Sequence, residues 1–291
     1  MEKDQVIVKV IGTAQDAGIP HIHCRCEHCR RAWEQPQLRR YPAALAVIVP
    51  GNQTWHLIDA TPDIASQMEV VRSAFPALGL MNSVVLTHAH LGHYTGLMYL
   101  GREAMATKGV PVYAGSKMAD TLRTNVPWKQ LVDLENISIT TIFAGQTFEL
   151  DTDLLVTPLE VPHRNEYSET FGFIFSGRNK RLLYIPDIDR WELWDQDLRE
   201  LVASVDYCLL DATFYSEAEL AARGRDYREI PHPCLTATME LLQDTVKAAG
   251  TKVYFTHFNH TNPVVDPEHQ VRDAIKENGF FIAEEGMEFF L

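Results

Sequence analysis

Short apolar runs, each a few residues long, punctuate the chain from its first residues onward. Residues 6–11, 44–49 and 54–58 read as strands, and Thr61-Pro62-Asp63 then opens a helix through residue 74. Further strands are expected at 83–86 and 110–113, with a helix over 95–106 and another starting at Gly115-Ser116. The second half repeats the theme, with strands at 137–142, 154–158, 171–175, 181–185, 207–210 and 252–255 and helices at 191–202, 236–247 and 267–277. Mixed strand blocks with helices after each half predict two sheets packed face to face with helices outside. No low-complexity linker divides them, so residues 1–291 are expected to form one domain.

Chemistry concentrates just past strand ends. Thr87-His88-Ala89-His90-Leu91-Gly92-His93 places three imidazoles directly after strand 83–86. Neutral imidazole is the commonest transition-metal ligand, and a His-x-His step at a strand end turns two rings toward one ion. That loop alone does not saturate an ion. His163 after Val-Pro, Asp187 after strand 181–185 and His257 after strand 252–255 are the expected partners. A purely structural role would bury several rings without hydrogen-bond partners, which is costly, whereas Asp187 with Asp189 also suits a polar turn. Asp59, at the end of strand 54–58, is either a cap or a group that holds the histidine loop by hydrogen bonds.

Cys24, Cys26 and Cys29 form a second cluster, C-x-C-x-x-C, able to offer three sulfurs to one tetrahedral Zn2+. A closed site needs one more ligand. His260, three residues beyond His257, is expected to supply it, with His28 as the local alternative.

Composition narrows the function. Lys and Arg number 26 against 39 Asp and Glu, a net charge of −13, which repels polyanions and argues against nucleic acid as a partner. A small-molecule substrate is expected, and an anionic one stays compatible because bound divalent ions reverse the local sign. With 46% hydrophobic residues there is material for a large core, yet no apolar run has the length of a membrane span. Five cysteines, three of them in the knuckle, do not make a disulfide framework. No leader pattern precedes the first strand, and a cytoplasmic, non-membrane protein is expected. Residues 287–291 are either a terminal strand or part of a homo-oligomer interface.

The order His88-x-His90-x-x-His93, His163, Asp187, His257 resembles the metallo-β-lactamase fold superfamily over nearly the whole chain, whose usual loop is His-x-His-x-Asp-His. The resemblance implies an α/β protein, an αβ/βα four-layer sandwich of two mixed β-sheets with helices outside. It places His88, His90 and His163 on a first ion, His93 and His257 on a second, and Asp187 between them. Two branches are close. The cysteine knuckle with His260 is similar to the structural zinc site of the cyclic-phosphate phosphodiesterase of the carbon–phosphorus lyase pathway. The segments Ala60-Thr61-Pro62-Asp63-Ile64, Asp211-Ala212-Thr213-Phe214, His257-Phe258-Asn259-His260-Thr261-Asn262-Pro263 and Glu285-Gly286-Met287-Glu288 more closely resemble the pyrroloquinoline quinone biosynthesis protein B branch.

Gly92 stands where the superfamily normally has aspartate. Three outcomes are open: a single ion, a second site completed by water, or another carboxylate, with Asp16 in the loop 12–20 as the candidate. An aspartate restored at position 92 is expected to raise affinity for a second ion. The resemblance implies Zn2+ in the knuckle and one or two ions of Zn2+, Mn2+ or Fe2+ at the histidines. The leading expectation is a metal-dependent hydrolase that activates a bound water to cleave a small ester, a phosphodiester or cyclic phosphate foremost. Asp187 would orient that water, and His232, in Ile-Pro-His-Pro-Cys, would protonate a leaving group or steady an oxyanion. The alternatives are an iron-dependent oxidative enzyme in pyrroloquinoline quinone-like cofactor biosynthesis, and a metal-binding partner protein without turnover.

Overall fold

Strands that are apolar on both faces need cover on both faces. The structure, a computed structural model that describes residues 5–222 and 224–291, provides it with two stacked seven-stranded sheets. The first contains β1 (Ile7–Gly12), β2 (Ala44–Val49), β3 (Thr54–Ile58), β4 (Ser83–Val85), β5 (Val110–Ala114), β6 (Ile137–Thr141) and β14 (Glu288–Phe290), in the order β14-β1-β2-β3-β4-β5-β6. The second contains β7 (Phe148–Asp151), β8 (Leu154–Glu160), β9 (Phe171–Ser176), β10 (Arg181–Ile185), β11 (Tyr207–Asp211), β12 (Lys252–Thr256) and β13 (Phe281–Ile282), in the order β13-β12-β11-β10-β9-β8-β7.

Alternation along each strand sorts side chains between layers. Val8 and Val10 of β1 and Leu45 and Val47 of β2 meet Phe173, Phe175, Leu182 and Tyr184 between the sheets. Ile7, Ile11, Ala46 and Ile48 face outward, in a cluster that includes Ile64 and Val71 of the helix Ile64–Ala74 and Met118 and Leu122 of the helix Ser116–Thr124. On the far side Leu183, Ile185, Leu210 and Phe255 cluster with Leu198, Val202, Leu235 and Leu242. The result is the four-layer αβ/βα sandwich. Residues 287–291 supply the edge strand β14, paired antiparallel to β1. Among the described residues no helix is long and apolar enough to cross a membrane.

Strands β3 to β6 run parallel, as do β10 to β13. The loops leaving their C-terminal ends therefore emerge at a shared edge, which is where the candidate residues gather.

Three expected helices are shorter than their sequence signals, 267–277 forming only Val271–Glu277. In place of a helix over 95–106 there is one turn, Leu91–Tyr94, then a 3-10 segment, Thr95–Leu100, that stops at Gly101; beyond it Ala106, at φ 48°, turns its N–H back to the Gly101 carbonyl. In place of 191–202 there is a 3-10 turn, Trp191–Leu193, and a separate helix, Leu198–Ala203, capped by Asp197. The Trp194 indole donates to the Glu160 carbonyl at 2.7 Å, which holds the intervening chain against the sheet instead of in a helix.

Behind the loop 12–20, the Tyr41 amide donates to Glu285 at 2.6 Å, and the Tyr41 carbonyl accepts from Thr13 and Ala14. Burial pushes the Glu285 carboxyl from 4.5 up to about 8. The folded chain thus holds a proton that the unfolded chain releases, so this contribution to stability is full below pH 4.5 and is lost as pH rises through about 8. Urea midpoints of the wild type should fall between these limits more steeply than those of Glu285→Gln. Parallel pH profiles would contradict a protonated Glu285 in the folded chain.

Candidate metal centre

The first wall of the site is built on the end of β3. Asp59, fully buried, takes φ 63°, a left-handed conformation that costs a non-glycine residue about 1 kcal/mol or more. Its carboxylate accepts from the Thr87 amide at 2.8 Å and the Thr87 hydroxyl at 2.9 Å, and lies 2.8 Å from His93 Nδ1. With its proton spent on Asp59, the Thr87 oxygen becomes the acceptor for His88 Nδ1, 2.9 Å away. Both rings therefore hold a proton on Nδ1 and turn Nε2 inward; burial opposes charge on His93, but Asp59 and Asp187 outweigh it and raise its imidazole well above the ordinary range.

The second sheet repeats the device. Asp211, the last residue of β11, accepts from the Thr213 amide and hydroxyl at 2.9 and 2.7 Å and lies 2.8 Å from His232 Nδ1. The Thr213 oxygen in turn faces His257 Nδ1 at 2.9 Å, which again leaves Nε2 free; His257, like Asp59, sits at φ 63°. Asp189 holds His163 Nδ1 at 2.9 Å, and His163 Nε2 lies 3.3 Å from His90 Nδ1. Ser168 accepts from the Ala89 amide at 2.9 Å and fixes the His-x-His step.

Asp187 lies in the middle. One of its oxygens is 3.1 Å from Nε2 of both His93 and His257, and the other is 3.4 Å from His163 Nε2. Yet His88 Nε2, His93 Nε2, His257 Nε2, Asp187 Oδ2 and Asp16 Oδ1 are all buried without a hydrogen-bond partner. Leaving one such atom unpaired costs about 1–3 kcal/mol, and here the unpaired atoms converge. Candidate ligand atoms of His88, His90 and His163 lie within 4.8 Å of one another, as do those of His88, His93 and Asp187. Nitrogen and oxygen donors of this kind suit Zn2+, Mn2+ or Fe2+. Burial drives His88, His90 and His257 below the ordinary imidazole range, toward the neutral form that binds metal. Burial opposes the Asp187 charge, but His257, His163 and His93 outweigh it and hold the carboxyl well below its usual range.

The cysteine cluster gathers separately. Cys24 Sγ and Cys26 Sγ lie 3.5 and 3.4 Å from His260 Nδ1, and the donor atoms of Cys24, Cys26, Cys29 and His260 are mutually within 4.8 Å. Backbone amides of Cys26 and His21 donate to Cys24 and Cys29 sulfurs. Burial pushes the Cys29 thiol up to about 12, a penalty that a bound cation reverses. The cluster fits a zinc knuckle. His28 has another task, its Nδ1 lying 2.9 Å from the His260 carbonyl.

The six expected ligands of the histidine site thus come together, with Asp59 beneath them and His232 in the wall. Thr87, Asp211 and Thr213 are holding groups that pattern alone does not single out, and Asp189, expected in a polar turn, instead holds His163; the short spacings Asp187-x-Asp189 and Asp211-x-Thr213 are the signal they carry. One expectation is reversed. A Cβ at Gly92 would lie 2.4 Å from Asp16 Cα, so an aspartate at position 92 does not fit beside the present loop 12–20.

A cavity of about 590 Å³ opens over the centre, lined by Asp16, His90, His163, Phe214, Arg225 and His232, among others. The sequence profile of the β-lactamase superfamily domain matches residues 54–258, which span the histidine loop, His163, Asp187 and His257. The chain belongs to the β-lactamase superfamily. Its two mixed sheets with flanking helices are the metallo-β-lactamase fold. Within the superfamily, it is 26% identical to Coenzyme PQQ synthesis protein B of Methylobacterium sp. (strain 4-46), over 96% of this chain and 97% of that protein. The crystal structure of Zn2+-bound PqqB from Methylobacterium extorquens superposes with a TM-score of 0.82 at 25% identity, covering 98% of this chain and 100% of the other. A diphosphatase from the PhnP family superposes with a TM-score of 0.71 at 21% identity, covering 99% and 97%.

Proposed function

We propose that this superfamily member is a metal-dependent hydrolase of a small anionic ester, a phosphodiester or cyclic phosphate foremost. The observation that carries the reading is the convergence of unpaired Nε2 atoms and Asp187 under a cavity whose wall holds His232. His88, His90, His93, His163, Asp187 and His257 would hold divalent cations there, which would supply water activation near neutral pH and polarisation of the ester oxygen. Asp187, kept ionised by the imidazoles around it, orients the attacking water through a hydrogen bond. Burial opposes charge on His232, but Asp211 outweighs it and raises the imidazole above its ordinary range. Its Nδ1–H is committed to Asp211, so the Nε2 proton is available to a leaving group. Arg225, with its guanidinium 5.5 Å from the Phe214 ring in the same wall, favours an anion in a chain of net charge −13.

His232→Gln tests the acid role. Hydrolysis of a phosphodiester with an alkoxide leaving group should fall by about 10²–10⁴, while a 4-nitrophenyl ester, whose leaving group needs no proton, should lose far less. Equal losses on both would contradict it.

End-to-end likeness to Coenzyme PQQ synthesis protein B favours a second reading. In it, the same donors would hold ferrous iron, which would supply dioxygen-dependent oxidation of a peptide-derived precursor in quinone-cofactor biosynthesis. Iron in the histidine site with dioxygen consumption, and no ester hydrolysis after Zn2+ or Mn2+ loading, would overturn the hydrolase reading. A binding protein without turnover is excluded if His90→Ala abolishes either activity.

A further inference from the structure

We infer that Asp16 supplies the carboxylate that the superfamily takes from the residue before the last histidine of its loop, and that Gly92 is glycine to make room for it. The inference rests on reading the histidine cluster as a metal centre.

Space carries the first part of the argument. An ideal Cβ on Gly92 would meet Asp16 Cα at 2.4 Å, Oδ1 at 2.5 Å and Cβ at 2.9 Å. The volume that a side chain at position 92 would occupy is thus already filled by Asp16, whose carboxylate approaches from the end of β1 instead of from the histidine loop. The two positions exclude each other, and any side chain at 92 displaces the Asp16 backbone as well as its carboxylate.

Hydrogen bonding carries the second part. A turn aspartate earns its place by accepting from a backbone amide close ahead in the chain. Here the nearby Gly18 amide donates to the Gln15 carbonyl instead, and Asp16 Oδ1 is buried with no hydrogen-bond partner among the described residues. The side chain is 41% exposed overall, so solvent lies within its reach, yet this oxygen faces inward, 3.7 Å from His93 Nε2. An inward carboxylate oxygen without a donor is costly unless a cation meets it.

The backbone explains how a loop residue holds that position. The Gln15 amide donates to the Phe258 carbonyl at 2.9 Å, the Phe258 amide donates to the Thr13 carbonyl at 2.8 Å, and Asn259 Nδ2 donates to Gln15 Oε1 at 2.6 Å. These bonds tie Asp16 to the segment that carries His257 and His260. Asp16, His257 and the cysteine knuckle are therefore fastened as one unit.

The test titrates full-length protein with Zn2+ against a competing chromogenic chelator, in wild type, Asp16→Asn and Gly92→Ala, with His88→Ala marking the ions that belong to the centre. Asp16→Asn should weaken the last centre ion taken up by at least about tenfold and leave the ion in the cysteine knuckle, and the melting temperature of the protein that retains it, unchanged. Gly92→Ala should do the same by pushing the loop aside. Substituting Co2+ and recording its visible absorption adds a readout independent of turnover: the spectrum should change in Asp16→Asn. Wild-type affinity and an unchanged Co2+ spectrum in Asp16→Asn would overturn the inference. Equal metal uptake by wild type and His88→Ala would instead overturn the metal centre itself, a different result that takes this inference with it.

Discussion

Asp187→Asn should lower kcat/KM for a phosphodiester by about a thousandfold or more and release the ions held at the histidines. Asparagine keeps the volume and one oxygen, so packing around this residue, 2% exposed, survives. What disappears is the negative charge that faces Nε2 of His93, His163 and His257 at 3.1 to 3.4 Å. Without it, cations meet a ring of imidazoles with no central anion, in a site where burial already penalises charge. A bound metal contributes several kcal/mol to transition-state stabilisation, and each 1.36 kcal/mol is a factor of ten, which sets the size of the loss. Elemental analysis of the variant beside its kinetics checks both halves. Retained metal with retained activity would remove Asp187 from the centre.

The second large effect is on stability. Cys26→Ala should release about one equivalent of Zn2+ and lower the melting temperature by roughly 6–12 °C, the shift expected for a loss of about 3 kcal/mol in a chain of this size. Metal binding and local folding are one process here, because the four donors come from the segment around Cys24 to Cys29 and from His260, far apart in sequence. The consequence extends beyond the knuckle. His260 lies three residues past His257, and loop 12–20 is hydrogen-bonded to Phe258 and Asn259, so the variant should also weaken metal at the histidines. Differential scanning calorimetry with metal analysis decides it; unchanged melting and metal content would reject the zinc assignment.

How much of this was legible in the chain depends on distance along it. Strands were readable because runs such as residues 44–49 are buried on both faces, and no helical pattern competes there. The helix over 95–106 was misread because its apolar residues signal burial, while the chain path is set by the Ala106 turn that no local propensity announces. The histidines that gather at the candidate centre were readable because their spacing past strand ends is itself the signal. Their supports were not: Thr87 beside Asp59 and Thr213 beside His257 are polar residues whose role exists only once separate strands align. Gly92 showed that a carboxylate was missing, and the loop 12–20 suggested where to look. Only coordinates reveal that Asp16 fills the same volume.

Anomalous diffraction from crystals of the metal-loaded protein, collected on both sides of the zinc absorption edge, tests the central claim most directly. The account predicts density that changes across the edge between His88, His93, His257 and Asp187, together with a separate peak among Cys24, Cys26, Cys29 and His260. A knuckle peak with nothing at the histidines, under metal excess, would contradict it.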